Sequence, residues 1–210
     1  MKIKSLMMIL FPVLLLIGCM GGGTETTNGG IQGRISLNCI SNAGEAEQCI
    51  AVVFSTGYVP DSGIGVAETT FVDTNGRFNF PSLPEDAYNL FIWNKESGQG
   101  AYLPLLSPDT VLPDIVLSRT KTFAGTVPDS VSGSQVLFAD IIIKGSPFFR
   151  RAQANELFAL SPVPEGEYRI RALYTVDEAP GSEPTLVSRI KTVTSGPGAN
   201  GNDTIVVDIR

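Results

Sequence analysis

A thirteen-residue pattern occurs twice in this chain. Phe78-Asn79-Phe80-Pro81-Ser82-Leu83-Pro84-Glu85-Asp86-Ala87-Tyr88-Asn89-Leu90 recurs, ungapped and 80 residues on, as Phe158-Ala159-Leu160-Ser161-Pro162-Val163-Pro164-Glu165-Gly166-Glu167-Tyr168-Arg169-Ile170. Phe, Pro, Glu and Tyr fall at identical places. Each copy alternates apolar and polar residues, breaks at Pro-Glu, then alternates again, which is the pattern of strand, turn, strand. A spacing this long exceeds a solenoid repeat and means two copies of a domain.

Each copy has its own opening strand, Ile31-Gln32-Gly33-Arg34-Ile35 and Phe123-Ala124-Gly125-Thr126-Val127. The opening glycines lie 92 residues apart, so the first copy is 12 residues longer between opening and motif. The extra length falls around the Cys39–Cys49 and Gly57–Gly65 loops. The boundary belongs near Ser118 to Lys121, giving domains at 31–118 and 121–210. Alternation and turn residues place strands near 31–39, 49–55, 66–72, 76–80, 87–93, 100–106 and 110–117. In the second copy they fall near 121–127, 135–143, 148–152, 156–160, 167–175, 185–193 and 203–209. Beyond the N-terminus nothing shows a helical period. The expectation is all-β: two tandem Greek-key β-sandwich domains.

Gly33, then Thr70-Phe71-Val72-Asp73-Thr74-Asn75-Gly76-Arg77-Phe78, then Leu83-Pro84-Glu85 and Tyr88-Asn89-Leu90, resembles the carboxypeptidase regulatory-like module, also described as transthyretin-like or carbohydrate-binding-like. Copy one lacks the usual turn glycine at Asp86 and Ala87. Copy two keeps Pro164-Glu165-Gly166-Glu167-Tyr168 and loses the Asp-x-x-Gly turn. The resemblance implies a fold, and a function far less. Read physically, Asn75-Gly76 suits a tight hairpin because both residues tolerate positive φ. Phe78 and Phe80 share a core face. Tyr88 and Tyr168 sit where a ring can be buried and its hydroxyl bonded to backbone upstream, as in a tyrosine corner.

Residues 1–18 read as a signal peptide. Lys2 and Lys4 precede an apolar run from Leu6 to Ile17, too short for the roughly 20 residues of a membrane span. Leu16-Ile17-Gly18-Cys19 resembles the lipobox of bacterial lipoproteins, which implies cleavage before Cys19 and acylation of its sulfur, a membrane partner held through a lipid anchor. Residues 19–30, rich in glycine and threonine, read as a flexible tether. Met20, rather than Asp, after the cysteine leans the expected location toward the outer membrane, in the enterobacterial manner.

Without Lys2 and Lys4 the chain keeps 13 basic against 21 acidic residues, a net charge of −8. Such a chain repels nucleic acid. It contains no histidine, which removes the commonest general base and metal ligand. No catalytic constellation, cofactor motif or metal spacing is visible, so the expectation is a non-enzyme without cofactor. Glu85-Asp86, Asp177-Glu178 and Glu45/Glu47 read as solvated loop charges. Oxygens at Asp73, Asn75 and 200–203 match no Ca²⁺ loop, and the sequon Asn202-Asp203-Thr204 reads as idle. In an oxidising compartment Cys39 and Cys49 are expected to form a disulfide across a short loop; two buried thiols or a histidine-free metal site are the alternatives.

Two features bear on ligands. Alternation along Tyr88–Trp93 sets Phe91 and Trp93 on the face opposite Tyr88, Leu90 and Ile92. They are either a sugar-stacking surface or residues covered by core or the other domain. Lys144-Gly145-Ser146-Pro147-Phe148-Phe149-Arg150-Arg151 is the one basic cluster of the mature chain. Lys144, Arg150 and Arg151 would dock an acidic partner or polysaccharide, or belong to a solvated hairpin. The expected role is a binding or structural accessory module, meeting a glycan or an envelope protein. The rivals are an adhesin or fimbria-type assembly subunit and an accessory of a hydrolase or transport system.

Overall fold

A computed structural model describes residues 29–36, 49–60, 62–178, 182–196 and 204–210. Cys19, Cys39, the signal, nearly all the tether and the Asn202 sequon lie outside the described residues. Those described form strands and no helix. The first half runs β1 (Ile31–Ile35), β2 (Cys49–Ser55), β3 (Ala67–Phe71), β4 (Arg77–Phe80), β5 (Tyr88–Asn94), β6 (Gln99–Leu106), β7 (Val111–Ile115) and β8 (Ser118–Arg119). The second runs β9 (Lys121–Thr126), β10 (Ser130–Val131), β11 (Ser134–Ile143), β12 (Phe149–Gln153), β13 (Leu157–Val163), β14 (Gly166–Asp177), β15 (Thr185–Ser195) and β16 (Thr204–Val206). The two-residue strands β8 and β10 were not expected. The last expected strand shrinks to β16, although Val207 and Ile209 beyond it are buried.

The repeat seen in the sequence is a repeat of topology. One sheet of the first half has the order β4-β1-β7; its counterpart is β13-β9-β16. In both, the first neighbour is antiparallel and the second parallel. The facing sheets run β3-β2-β5-β6-β8 and β10-β11-β14-β15, with β12 paired to the free side of β11 as β3 is to β2. Each half is thus a three-stranded sheet stacked on a five-stranded one, a sandwich. The first core packs Ile31, Ile35, Val53, Phe80, Tyr88 and Leu90; the second packs Phe123, Phe158, Ile170 and Tyr174.

The motif residues now have causes. Gly33 stands opposite Phe78 across the β1/β4 pair, and Gly125 opposite Phe158 across β9/β13. In both places a Cβ would collide with the phenylalanine ring, so the opening glycine is the space into which the motif phenylalanine packs. Tyr88 donates its hydroxyl to Pro84 O at 2.9 Å, and Tyr168 donates to Pro164 O at 3.0 Å. Both rings are buried, as expected of tyrosine corners. Burial pushes the Tyr168 phenol far above its ordinary value.

The Asp73–Gly76 turn differs in detail from the sequence reading. Gly76 has φ +76°, while Asn75 is not among the positive-φ residues. The organiser is Asp73, whose Oδ1 accepts from the backbone N–H of Asn75 and of Arg77, both at 2.8 Å. This Asx arrangement takes the place of a two-residue Asn-Gly turn. The bond from the Arg77 N–H, the largest influence, holds the Asp73 carboxyl below its usual value. Cys49 heads β2, is 1% exposed and is not a free thiol.

Candidate functional site

β2 and β5 are apolar on both faces. Their burial runs nearly unbroken through Cys49–Ser55 and Tyr88–Asn94, where a sheet with one wet face would alternate. One face meets the first core. The other, carrying Val52, Phe54, Asn89, Phe91 and Trp93, packs against an end of the second sandwich, and Val52, Phe54 and Phe91 belong to the second half's core.

Four rings form the seam. Trp93 stacks on Phe91 (5.4 Å between centroids, 8° between planes), Phe91 on Tyr102 (4.8 Å, 27°), and Tyr102 on Tyr168 of the second half (4.7 Å, 23°). Phe54 and Phe148 close on Phe91 edge-on, each at 5.8 Å. Such pairs contribute roughly 0.5–1.5 kcal/mol each beyond the area they bury. Polar bonds frame the stack. Trp93 Nε1 donates to Pro162 O at 3.1 Å, and Gly145 N donates to Tyr58 O at 2.8 Å. The buried Asn89 donates through Nδ2 to Gly145 O at 2.9 Å and accepts from Leu105 N at 3.2 Å.

This arrangement corrects the ligand surface expected at Phe91. The ring is 0% exposed, with other rings on both faces, because the second sandwich covers it. Trp93 is half-buried beside a 370 Å³ recess that it shares with Ile50, Lys95, Phe148 and Pro162. The basic cluster also comes apart. Arg150 and Arg151 lie on a strand, β12, where alternation sends neighbours to opposite faces. Arg151 makes a two-pronged pair with Asp140 (2.6 and 2.8 Å) over the Phe138 ring, and Arg150 pairs with Glu156 at 3.6 Å. Neither joins Lys144 in a common patch.

Lys144 instead stands on a cleft beside the seam, about 440 Å³ in volume. The first half supplies Asn89, Tyr102, Pro104 and Leu105; the second supplies Lys144, Arg169, Arg171 and Ile190. Leu105 is 73% exposed and Ile190 51%, so the cleft has an apolar lining open to solvent. Leu105 holds φ +57°, a strained conformation for a branched residue, in the stretch where β6 slips register against β5. Among the described residues Lys144, Arg169 and Arg171 make no ion pair; Glu167 is the one carboxylate on the lining.

Arg169 and Arg171 were not singled out in the sequence. Their signal is the comparison of copies: they hold the places of Asn89 and Phe91, on the same face of the corresponding strand. The first copy covers that face with a neighbour, and the second presents it with arginines to solvent. Among the described residues no group of three or more His, Cys, Asp or Glu is arranged to hold a metal ion.

No family model and no curated protein matches this chain. Three solved structures show a distant likeness. A streptococcal ancillary pilin is 13% identical, with TM-score 0.29, over 89% of this chain and 64% of the pilin, so the chain spans less than two thirds of that protein. A proposed carbohydrate-binding protein from Bacteroides uniformis is 11% identical, with TM-score 0.27, over 80% of this chain and 99% of that one. The minor pilin of Streptococcus agalactiae is 10% identical, with TM-score 0.25, over 85% and 93%. Likenesses this remote say nothing of ligand or partner, and the fold rests on the chain's own sheets.

Proposed function

We propose that this chain is a non-enzymatic lipoprotein of the bacterial envelope, held by acylated Cys19 in the outer membrane, whose two carboxypeptidase regulatory-like sandwiches act as one carbohydrate-binding accessory module. The observation that supports it best is the cleft beside the aromatic seam. Both halves build it, and its lining mixes apolar surface with polar groups, as ligand sites do. The acylatable cysteine, the Gly/Thr tether and the disulfide between Cys39 and Cys49 belong to this reading as a secreted, displayed module. Absorption of the full chain to a glycan array, followed by Tyr102→Ala and Leu105→Gly variants, tests the binding. Glycan signals that persist unchanged in both variants would remove the cleft from it. Palmitate labelling that survives Cys19→Ala would remove the anchor.

The fimbria-type rival needs an edge strand ready to exchange. β15 is such an edge by position, yet Arg189 and Lys191 stand opposite Ala172 and Ile170, residues of the buried face. Charges set on the core side of an edge strand oppose pairing with another chain.

A further inference from the structure

We infer that the cleft takes an acidic saccharide, with the carboxylate of a uronic-acid ring against Arg169, Arg171 and Lys144. The inference rests on the carbohydrate-binding reading above and adds the charge of the ligand. Three cations without ion-pair partners among the described residues converge on one lining, in a chain whose mature net charge is −8. Elsewhere on the same sheet Arg151 and Arg150 are matched by Asp140 and Glu156. The cleft thus gathers three cations against one carboxylate, Glu167, and an anion is the complement of that local excess. Arginine presents a planar fork that meets a carboxylate with two parallel hydrogen bonds, and the pair on alternate residues of β14 puts two forks on one face.

The rest of the lining suits a ring. Pro104, Leu105 and Ile190 offer aliphatic surface to the C–H face of a sugar, and Tyr102 borders them. A volume of 440 Å³ falls within the roughly 300–1,000 Å³ of small-ligand sites. Strand addition by an acidic peptide is the less favoured occupant, because the adjoining edge β15 carries Arg189 and Lys191 toward the core side.

The test uses the full chain in detergent micelles, titrated calorimetrically with trigalacturonate, with neutral galactotriose and with inorganic phosphate. Trigalacturonate is expected to bind about tenfold or more tightly than galactotriose, and Arg169→Ala/Arg171→Ala should abolish that preference. Arg34→Ala, on the first sandwich, should leave it intact. Trp93 fluorescence and circular dichroism matching the parent confirm that the double variant is folded. Equal binding of the two trisaccharides, untouched by the double variant, overturns the charge assignment and leaves the carbohydrate reading standing. Binding of neither saccharide overturns both. Phosphate bound as tightly as trigalacturonate, and competing with it, overturns the saccharide in favour of a simple anion site.

Discussion

Replacing Phe91 by alanine separates a seam from a core. The ring is 0% exposed, stacked between Trp93 and Tyr102 and met edge-on by Phe54 and Phe148. Truncating so buried a phenylalanine loses its transfer free energy and leaves a cavity, together about 3–5 kcal/mol. The neighbours are rings fixed by one another, so collapse into the space is limited and the upper half of that range applies. At about 2–4 °C per kcal/mol for a chain of this size, the melting temperature should fall by roughly 8–20 °C. The pattern is more diagnostic than the size. Trp93 is the chain's one tryptophan and lies in the seam, so its fluorescence reports separation of the halves, whereas far-UV circular dichroism reports the sheets. The parent should show both signals changing together. In Phe91→Ala the fluorescence should change first. Leu90→Ala, on the opposite face of β5 and equally buried, should cost a similar amount by weakening the first core while the two signals stay together. A Phe91→Ala shift below about 3 °C, or coincident signals with parent-like fluorescence, would refute the idea that the stack seals the two sandwiches.

Gly166→Ala should destabilise by about 1–3 kcal/mol, because the new Cβ meets the Tyr102 ring, which Phe91 and Tyr168 hold in place; chemical denaturation measures it, and no change would mean the ring can swing aside. Tyr168→Phe should cost about 1 kcal/mol through the lost bond to Pro164 O, and Tyr88→Phe a similar amount, each read as a lower denaturation midpoint. The Asp73 turn contributes fully above the unfolded carboxyl's value of about 3.9 and loses its contribution as pH falls through the lower folded value. An amide-exchange series from pH 5 downward should therefore show Asn75 and Arg77 N–H groups losing protection only in acid, and Asp73→Asn should remove that dependence.

The sheets were legible in the sequence because their signals are local. Alternation marked the strands, Pro-Glu marked the reversals, and Tyr88 and Tyr168 stood one turn beyond prolines whose carbonyls they reach. Asp73 was less legible, since Asn75-Gly76 satisfies two turn types and the side-chain bonds choose between them. The seam was half legible. The apolar runs Ile50–Phe54 and Leu90–Trp93 announce a sheet covered on both sides, but alternation carries no information about what does the covering. Reading Lys144, Arg150 and Arg151 as one cluster overlooked the strand's own period, which parts adjacent residues. Arg169 and Arg171 were hidden because single cations on a strand look like ordinary solvated surface. They gain meaning only from where the first sandwich ends.

The parallel pairings of β1 with β7 and β9 with β16 bear on how this chain would resist being pulled. In each sandwich the first strand enters at one end of its sheet, and its last parallel neighbour leaves at the other. Tension applied between the chain's two ends then slides β1 along β7 and β9 along β16. The hydrogen bonds of each pair, such as Gln32 N to Thr110 O and Ser36 N to Ile115 O in the first and Val207 N to Ala124 O in the second, share the load together instead of opening one by one. Both halves carry the same mechanical clamp, so a drag on the exposed end would be borne by strands in shear before either core is disturbed.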